Sequence, residues 1–270
     1  MKIIEFIKNE FTTANYLNRL IYINVIIFLI INIFSVSAGL FLIETNDLIE
    51  KLMLPSEITE FIKQPWSLLT YMFLHENFIH LLFNMLWLHF GGKLFIEYLN
   101  EKQLINIYIL GGIFGGLIFI LAFNYLPALI PFNQTAKALG ASASVLAIFF
   151  GISTKIPNYQ INIPLIGFLK LKYIALFFII LDFLSIPKGN AGGHIAHIGG
   201  AIFGYIYIKQ IENKKDSIIN DLMSIFKKSK QKRDNKKNND VDVVLEKISK
   251  SGYESLNKKE KELLFKSSKK

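Results

Sequence analysis

The chain has no cysteine. That excludes disulfides, thiol nucleophiles and thiolate metal sites, and leaves the compartment open. Net charge is almost missing before Lys209. Of 30 Lys/Arg and 21 Asp/Glu in the whole chain, 18 and 10 lie from Lys209 onward, which leaves 12 and 11 before it. The formal charge of +9 therefore belongs to a tail, and a nucleic-acid partner is not expected. The N-terminal stretch also lacks a small-residue cleavage site after a short apolar core. It is amphipathic, carries Glu5 and Glu10, and runs through Arg19 into a long apolar segment, so no removable signal peptide is expected.

Apolar length, by contrast, is abundant. Hydrophobic residues make up 52% of the chain and its mean hydropathy is +0.38. About six apolar runs approach the length that crosses a bilayer, near 20–43, 67–96, 104–126, 137–154, 168–186 and 193–211. About 20 residues are needed to cross the hydrocarbon, so the short fourth run is expected to begin below the membrane surface. Lys2, Lys8 and Arg19 precede the first run, Lys155, Lys170 and Lys172 lie between the fourth and fifth, and the lysine-rich tail follows the sixth. The loop at 44–66 carries five acids against two lysines. Six crossings with both termini cytoplasmic satisfy this pattern, and the second, fourth and sixth runs then enter from the outer side. The expectation is an all-α integral membrane protein, with 1–211 a six-helix bundle, 212–240 a polar basic linker and 241–270 a small cytoplasmic helical module. In that module, Val241, Val243, Val244, Leu245 and Ile248 suggest one helix, and Asn257 with Glu260 suggests the capped start of a second. The tail is expected to touch anionic lipid.

Polar side chains in such runs are costly and ask for a reason. All five histidines fall in them: His75, His80 and His89 in the second, His194 and His197 at the start of the sixth. Ser142, near the start of the fourth, and His197 belong at one depth, because both runs enter from the same side. His75, His80 and Asn84 open the second run at that level. His80 and Asn84 are four apart and share a helix face, whereas His75 lies about 140° away from His80. Ser142 sits in Leu139-Gly140-Ala141-Ser142-Ala143, where small neighbours leave the hydroxyl uncrowded. A helix start also offers free amide groups to a developing oxyanion. Taken alone, the same pentapeptide reads by default as a small-residue packing motif between membrane helices. Ser144 points elsewhere and reads as packing. Small residues at 193, 196, 200 and 204 line one face of the sixth run and admit a close neighbour, which brings His197 within reach of a serine there. No Asp or Glu lies near either motif to orient the imidazole, so the expected pair is a dyad.

The run His75-Glu76-Asn77-Phe78-Ile79-His80-Leu81-Leu82-Phe83-Asn84 resembles the second-helix motif of the rhomboid family of intramembrane serine proteases. Gly140-Ala141-Ser142-Ala143 resembles its Gly-x-Ser-x motif, and Ala196-His197-Ile198-Gly199-Gly200 with Gly204 its Ala-His-x-x-Gly-x-x-x-Gly motif. The resemblance implies a rhomboid-like bundle in which Ser142 attacks a scissile carbonyl and His197 takes and returns the proton. It implies that His80 and Asn84 hold the oxyanion with the Ser142 amide, and that His75 and Gly140 are structural. The substrates implied are membrane-anchored proteins cut near the outer face after a small residue, in a bacterial inner membrane, with no cofactor and no metal. Two positions depart from the family pattern. Trp66 is followed by Ser67 in place of arginine, and Leu146 stands where an aromatic residue often stacks on the histidine. Asp182, near the outer end of the fifth run, reads as interfacial. The alternatives are an inactive rhomboid-like binding factor and a histidine-lined metal transporter, the latter short of acids beside its imidazoles in the second, fourth and sixth runs.

Overall fold

Asparagine writes the helix starts in this chain. Asn15, Asn77 and Asn100 each take extended backbone and accept, through the side chain, the amide of the residue three further on. Each thereby satisfies one of the free donors of a first turn. At Asn100 the Gln103 side chain reciprocates, closing a capping box. The computed structural model describes residues 11–163, 167–212 and 245–261. Among the described residues are six long helices, the first three from these starts: α1 (Tyr16–Leu40), α2 (Phe78–Tyr98), α3 (Glu101–Tyr125), α4 (Ser142–Lys155), α5 (Leu171–Ser185) and α6 (Ala191–Glu212). By length and composition, α1, α2 and α3 can cross a membrane, and α4 is a shorter apolar helix. In α1, Leu29, Ile30, Ile33, Val36 and Leu40 are exposed; a helix apolar all round with such a surface has lipid as its partner.

The helices start and end within a few residues of the apolar runs, with one exception. The run at 67–96 is not one helix. Ser67–Thr70 and a 3-10 turn at Tyr71–Phe73 end at Leu74, which is extended, and α2 begins only at Phe78. The Asn77 side chain offers the backbone a cap at that point, and a cap terminates what apolar continuity alone would prolong. His75 therefore sits in the break and not on α2.

The acidic loop before the break is fastened by several polar contacts. Trp66 Nε1 donates to the Lys51 carbonyl (2.9 Å), Thr70 Oγ1 to that of Leu52 (2.7 Å), and Asn124 Nδ2 to that of Ser56 (2.7 Å). This is how the loop is held with Ser67 after Trp66. Leu54–Pro55 pairs antiparallel with Lys137–Ala138, and Lys137 meets Glu50 at 2.6 Å. The loop thus grips the segment that leads into α4. A second hairpin, Gln160–Ile163 with Gly167–Lys170, joins α4 to α5.

At the centre lies α4, with nine of its residues buried, among them Ala143, Ala147, Ile148 and Ile152. Its 14 residues span only about 21 Å, less than the ~30 Å hydrocarbon thickness. Glycine sets its neighbours' distance. A methyl group on Gly200 would run into the Ala143 carbonyl and one on Gly204 into that of Ala147, while one on Gly115 would lie 2.6 Å from the Ala196 oxygen. So α3, α4 and α6 pack backbone to backbone, as expected where lipid removes the hydrophobic drive between helices. Gly193, on the same sequence pattern, faces the Asn190 side chain instead. Asn24, buried in α1, meets the Tyr108 hydroxyl of α3 (3.1 Å).

Contacts divide the chain into units of 1–212 and 213–270. In the second, residues 245–251 are helical and another helix starts at 258. Asn257 and Glu260 cap that start reciprocally (2.7 and 3.0 Å), and Lys247 pairs with Glu260 (2.9 Å). The expectations for residues 1–10, for most of the linker and for Val241, Val243 and Val244 lie outside the described residues.

Replacing Gly204 with leucine should force α6 off α4 and cost about 1–3 kcal/mol, read as a lower denaturation temperature in detergent. Gly39, with open space around it, is the control: Gly39→Leu should change stability by no more than about 0.5 kcal/mol.

Candidate active site

Ser142 is the first residue of α4. Before it, Gly140 takes φ +129, a conformation that L side chains rarely adopt, and its amide donates to the Tyr71 carbonyl (2.9 Å). A Cβ there would lie 3.0 Å from the His80 ring, so Gly140 also clears the space that imidazole occupies. Ser142 begins the first turn of α4, where amide groups lack intrahelical acceptors.

Opposite stands His197, in the second turn of α6, with Nε2 2.6 Å from Ser142 Oγ. The glycine contacts of α6 with Ala143 and Ala147 set this distance, because Ser142 and Ala143 are neighbours on α4. Both side chains face a cavity of about 540 Å³. His80 and Asn84 line the same cavity, one turn apart on α2, with Asn84 Nδ2 donating to the His80 carbonyl (3.0 Å). That bond uses one amide proton of Asn84 and leaves the other. His75 does not line the cavity; it is buried, its ring edge-on to His80 at 5.2 Å. His89 is exposed along α2. Ser144 is buried against Met72, its Oγ 3.9 Å from the sulfur.

The expectation that no acid lies near the pair is corrected. Asp182, on α5, places Oδ1 2.9 Å from His197 Nδ1 and 2.7 Å from His194 Nδ1. Its side chain is 13% exposed, and both contacts have ion-pair geometry when the imidazoles are protonated. The turn at 186–190 explains the meeting. Ile186–Lys188 is a 3-10 turn, Gly189 (φ 121) and Asn190 (φ 49) reverse the chain, and Asn190 Oδ1 accepts the Gly193 amide at 3.2 Å. Residues a few places before and after such a reversal share a level. That was the available signal: Asp182 stands four before the turn and His194 four after it.

An ionised carboxylate only accepts. Both imidazoles, when neutral, then carry the proton on Nδ1, and His197 turns an unprotonated Nε2 toward the Ser142 hydroxyl. The ring neighbour of His197 is His194, edge-on at 5.9 Å, while Leu146 lines the cavity. The position one turn after the serine therefore supplies no stacked aromatic, and the carboxylate holds the ring instead. Deeper in the cavity Trp87, Phe149 and Phe178 meet edge to face, with centroids 4.9–5.7 Å apart. The ligating atoms of Asp182, His194 and His197 lie within 4.8 Å of one another, a set that could hold a metal ion. The acid that a metal site would need beside its imidazoles is thus present, supplied by α5.

A family model described as the Rhomboid domain matches residues 63–211. Presenilin-associated rhomboid-like protein A, mitochondrial, of Danio rerio is 29% identical over 140 residues, covering 50% of this chain and 35% of that protein. RHOMBOID-like protein 12, mitochondrial, of Arabidopsis thaliana is 27% identical over 144 residues, covering 50% of this chain and 43% of that protein. The chain thus spans less than half the length of these relatives.

Gly140→Ala should strain the loop before α4 and press on His80. The expected cost is about 1–3 kcal/mol, with slower labelling of Ser142 by a fluorophosphonate; thermal denaturation and the labelling rate measure the two effects.

Proposed function

The chain belongs to the rhomboid family, and from that premise we propose that it is an intramembrane serine protease cutting membrane-anchored substrates near the outer membrane face. The observation that carries this reading is the 2.6 Å approach of His197 Nε2 to Ser142 Oγ at a helix start opening on a cavity. In the proposed reaction His197 takes the hydroxyl proton as Ser142 attacks the carbonyl, then returns it to the leaving amine. The amide of Ser142, the free proton of Asn84 and the His80 ring hold the oxyanion. No cofactor enters these steps.

The bundle is proposed to cross the membrane six times, α4 being the short crossing whose start lies below the outer surface. Residues 1–211 form the protease domain, 212–240 a basic linker and 241–270 a helical module that touches anionic lipid. The basic residues support an orientation with both termini on the cytoplasmic side of a bacterial inner membrane. The equivalent is the matrix side, if the chain shares the mitochondrial setting in both relatives' names.

The rival is a family member that binds membrane proteins without cutting them. Loss of the serine or the histidine would favour it; here both are present and in contact. Cleavage of a model transmembrane substrate in liposomes separates the two. Ser142→Ala and His197→Ala should each lower kcat by at least about 10³-fold, with substrate binding retained. Cleavage that survives Ser142→Ala refutes the reading, as does a wild-type protein that binds substrate and never cuts it.

A further inference from the structure

We propose that Asp182 is the positioning residue of His197, so that Ser142, His197 and Asp182 act as a triad drawn from α4, α6 and α5. This rests on the protease reading above and extends its dyad. Asp182 Oδ1 is 2.9 Å from His197 Nδ1, and His197 Nε2 is 2.6 Å from Ser142 Oγ. The three side chains therefore form one continuous line from carboxylate to hydroxyl.

The direction of that line matters chemically. A carboxylate on Nδ1 excludes the tautomer in which Nε2 carries the proton and cannot accept another. When Nε2 takes the serine proton, the imidazolium formed faces a negative charge 2.9 Å away in a partly buried pair, where the attraction exceeds that in bulk water. No covalent bond to Asp182 forms or breaks, and the proton stays on the imidazole until the leaving amine receives it.

His194 fits this arrangement as an anchor. Its Nδ1 is 2.7 Å from the same Oδ1, so a second donor fixes the carboxylate throughout the protonation cycle of His197. The side chains of Asp182, His194 and His197 are 13%, 23% and 22% exposed, and an acid so placed needs such partners. The device also answers the absence of a stacked aromatic, since Leu146 stands at that position and the ring is oriented through its edge.

The test compares wild type with Asp182→Asn and Asp182→Glu in liposomes, using a fluorogenic transmembrane substrate and fluorophosphonate labelling of Ser142. Asparagine should lower kcat by roughly 10²–10⁴-fold, with KM changed by no more than about twofold, and should slow labelling in parallel. Glutamate should restore part of the loss. Nitrogen NMR of the wild-type imidazoles should find His197 protonated at Nδ1, a readout that does not depend on how any variant folds. Wild-type kcat in Asp182→Asn overturns the proposal, and so does a His197 protonated at Nε2. Activity abolished by a chelator, with His194→Ala as damaging as Asp182→Asn, overturns it in favour of a bound metal. Ser142→Ala, run alongside, separates the two layers. If it still cleaves, the protease reading fails. If it is silent while Asp182→Asn keeps full rate, only the positioning role fails.

Discussion

Gly200 and Gly204 let α6 lie with its backbone against the carbonyls of Ala143 and Ala147, and the register of that contact governs the site. His197 stands one turn before Gly200, and Ser142 immediately before Ala143. Sliding either helix by a turn would separate the two side chains by about 5.4 Å. In lipid, apolar side chains gain little by leaving one neighbour for another, so a close backbone fit is what can fix a register. Gly115 and Gly111 extend the same fit to α3, facing Ala196, Ala143 and Ala147. The hydrogen bond between histidine and serine is thus a consequence of helix packing more than a cause of it.

Much of this was legible because small residues and depth are both linear properties of a sequence. The spacing of Ala196, Gly200 and Gly204 announced a close neighbour, and that neighbour is α4. Counting from the outer ends put Ser142, His197, His80 and Asn84 at one level, and all four line one cavity. His75 lies off the second helix because one asparagine cap interrupts a run of apolar residues that looks continuous; the break at 74–77 turns on a side-chain hydrogen bond. The hairpin at 160–170 escaped because its strands are short and lie between two strong apolar signals. Asp182 reads as interfacial from its place near the outer end of the fifth run, which says nothing of its partners. Its partners are decided by the reversal at 186–190, which sets it level with His194. Depth already put Asp182 at the outer end of its run; comparing that level with the start of α6 would have paired it with the histidines.

The distribution of polarity within the cavity has a chemical consequence. Ser142, His80, Asn84, Asp182, His194 and His197 gather at one end of their helices. Seven residues along from Ser142 and from His80 come Phe149 and Trp87, and four before Asp182 comes Phe178, all in the same direction from the polar level. Seven residues correspond to about 10 Å of helix, so an aromatic layer closes the cavity below the polar one. On the proposed protease reading, hydrolysis needs water, and water needs hydrogen-bonding walls. This arrangement supplies them at the level of the serine and withdraws them one to two turns deeper. A substrate helix satisfies its own backbone in lipid and has no reason to unwind there. At the polar level, the side chains and the first-turn amides of α4 can take up the groups that unwinding frees. On that reading, the position of the site near one end of the bundle follows from what a peptide bond must give up to be cut.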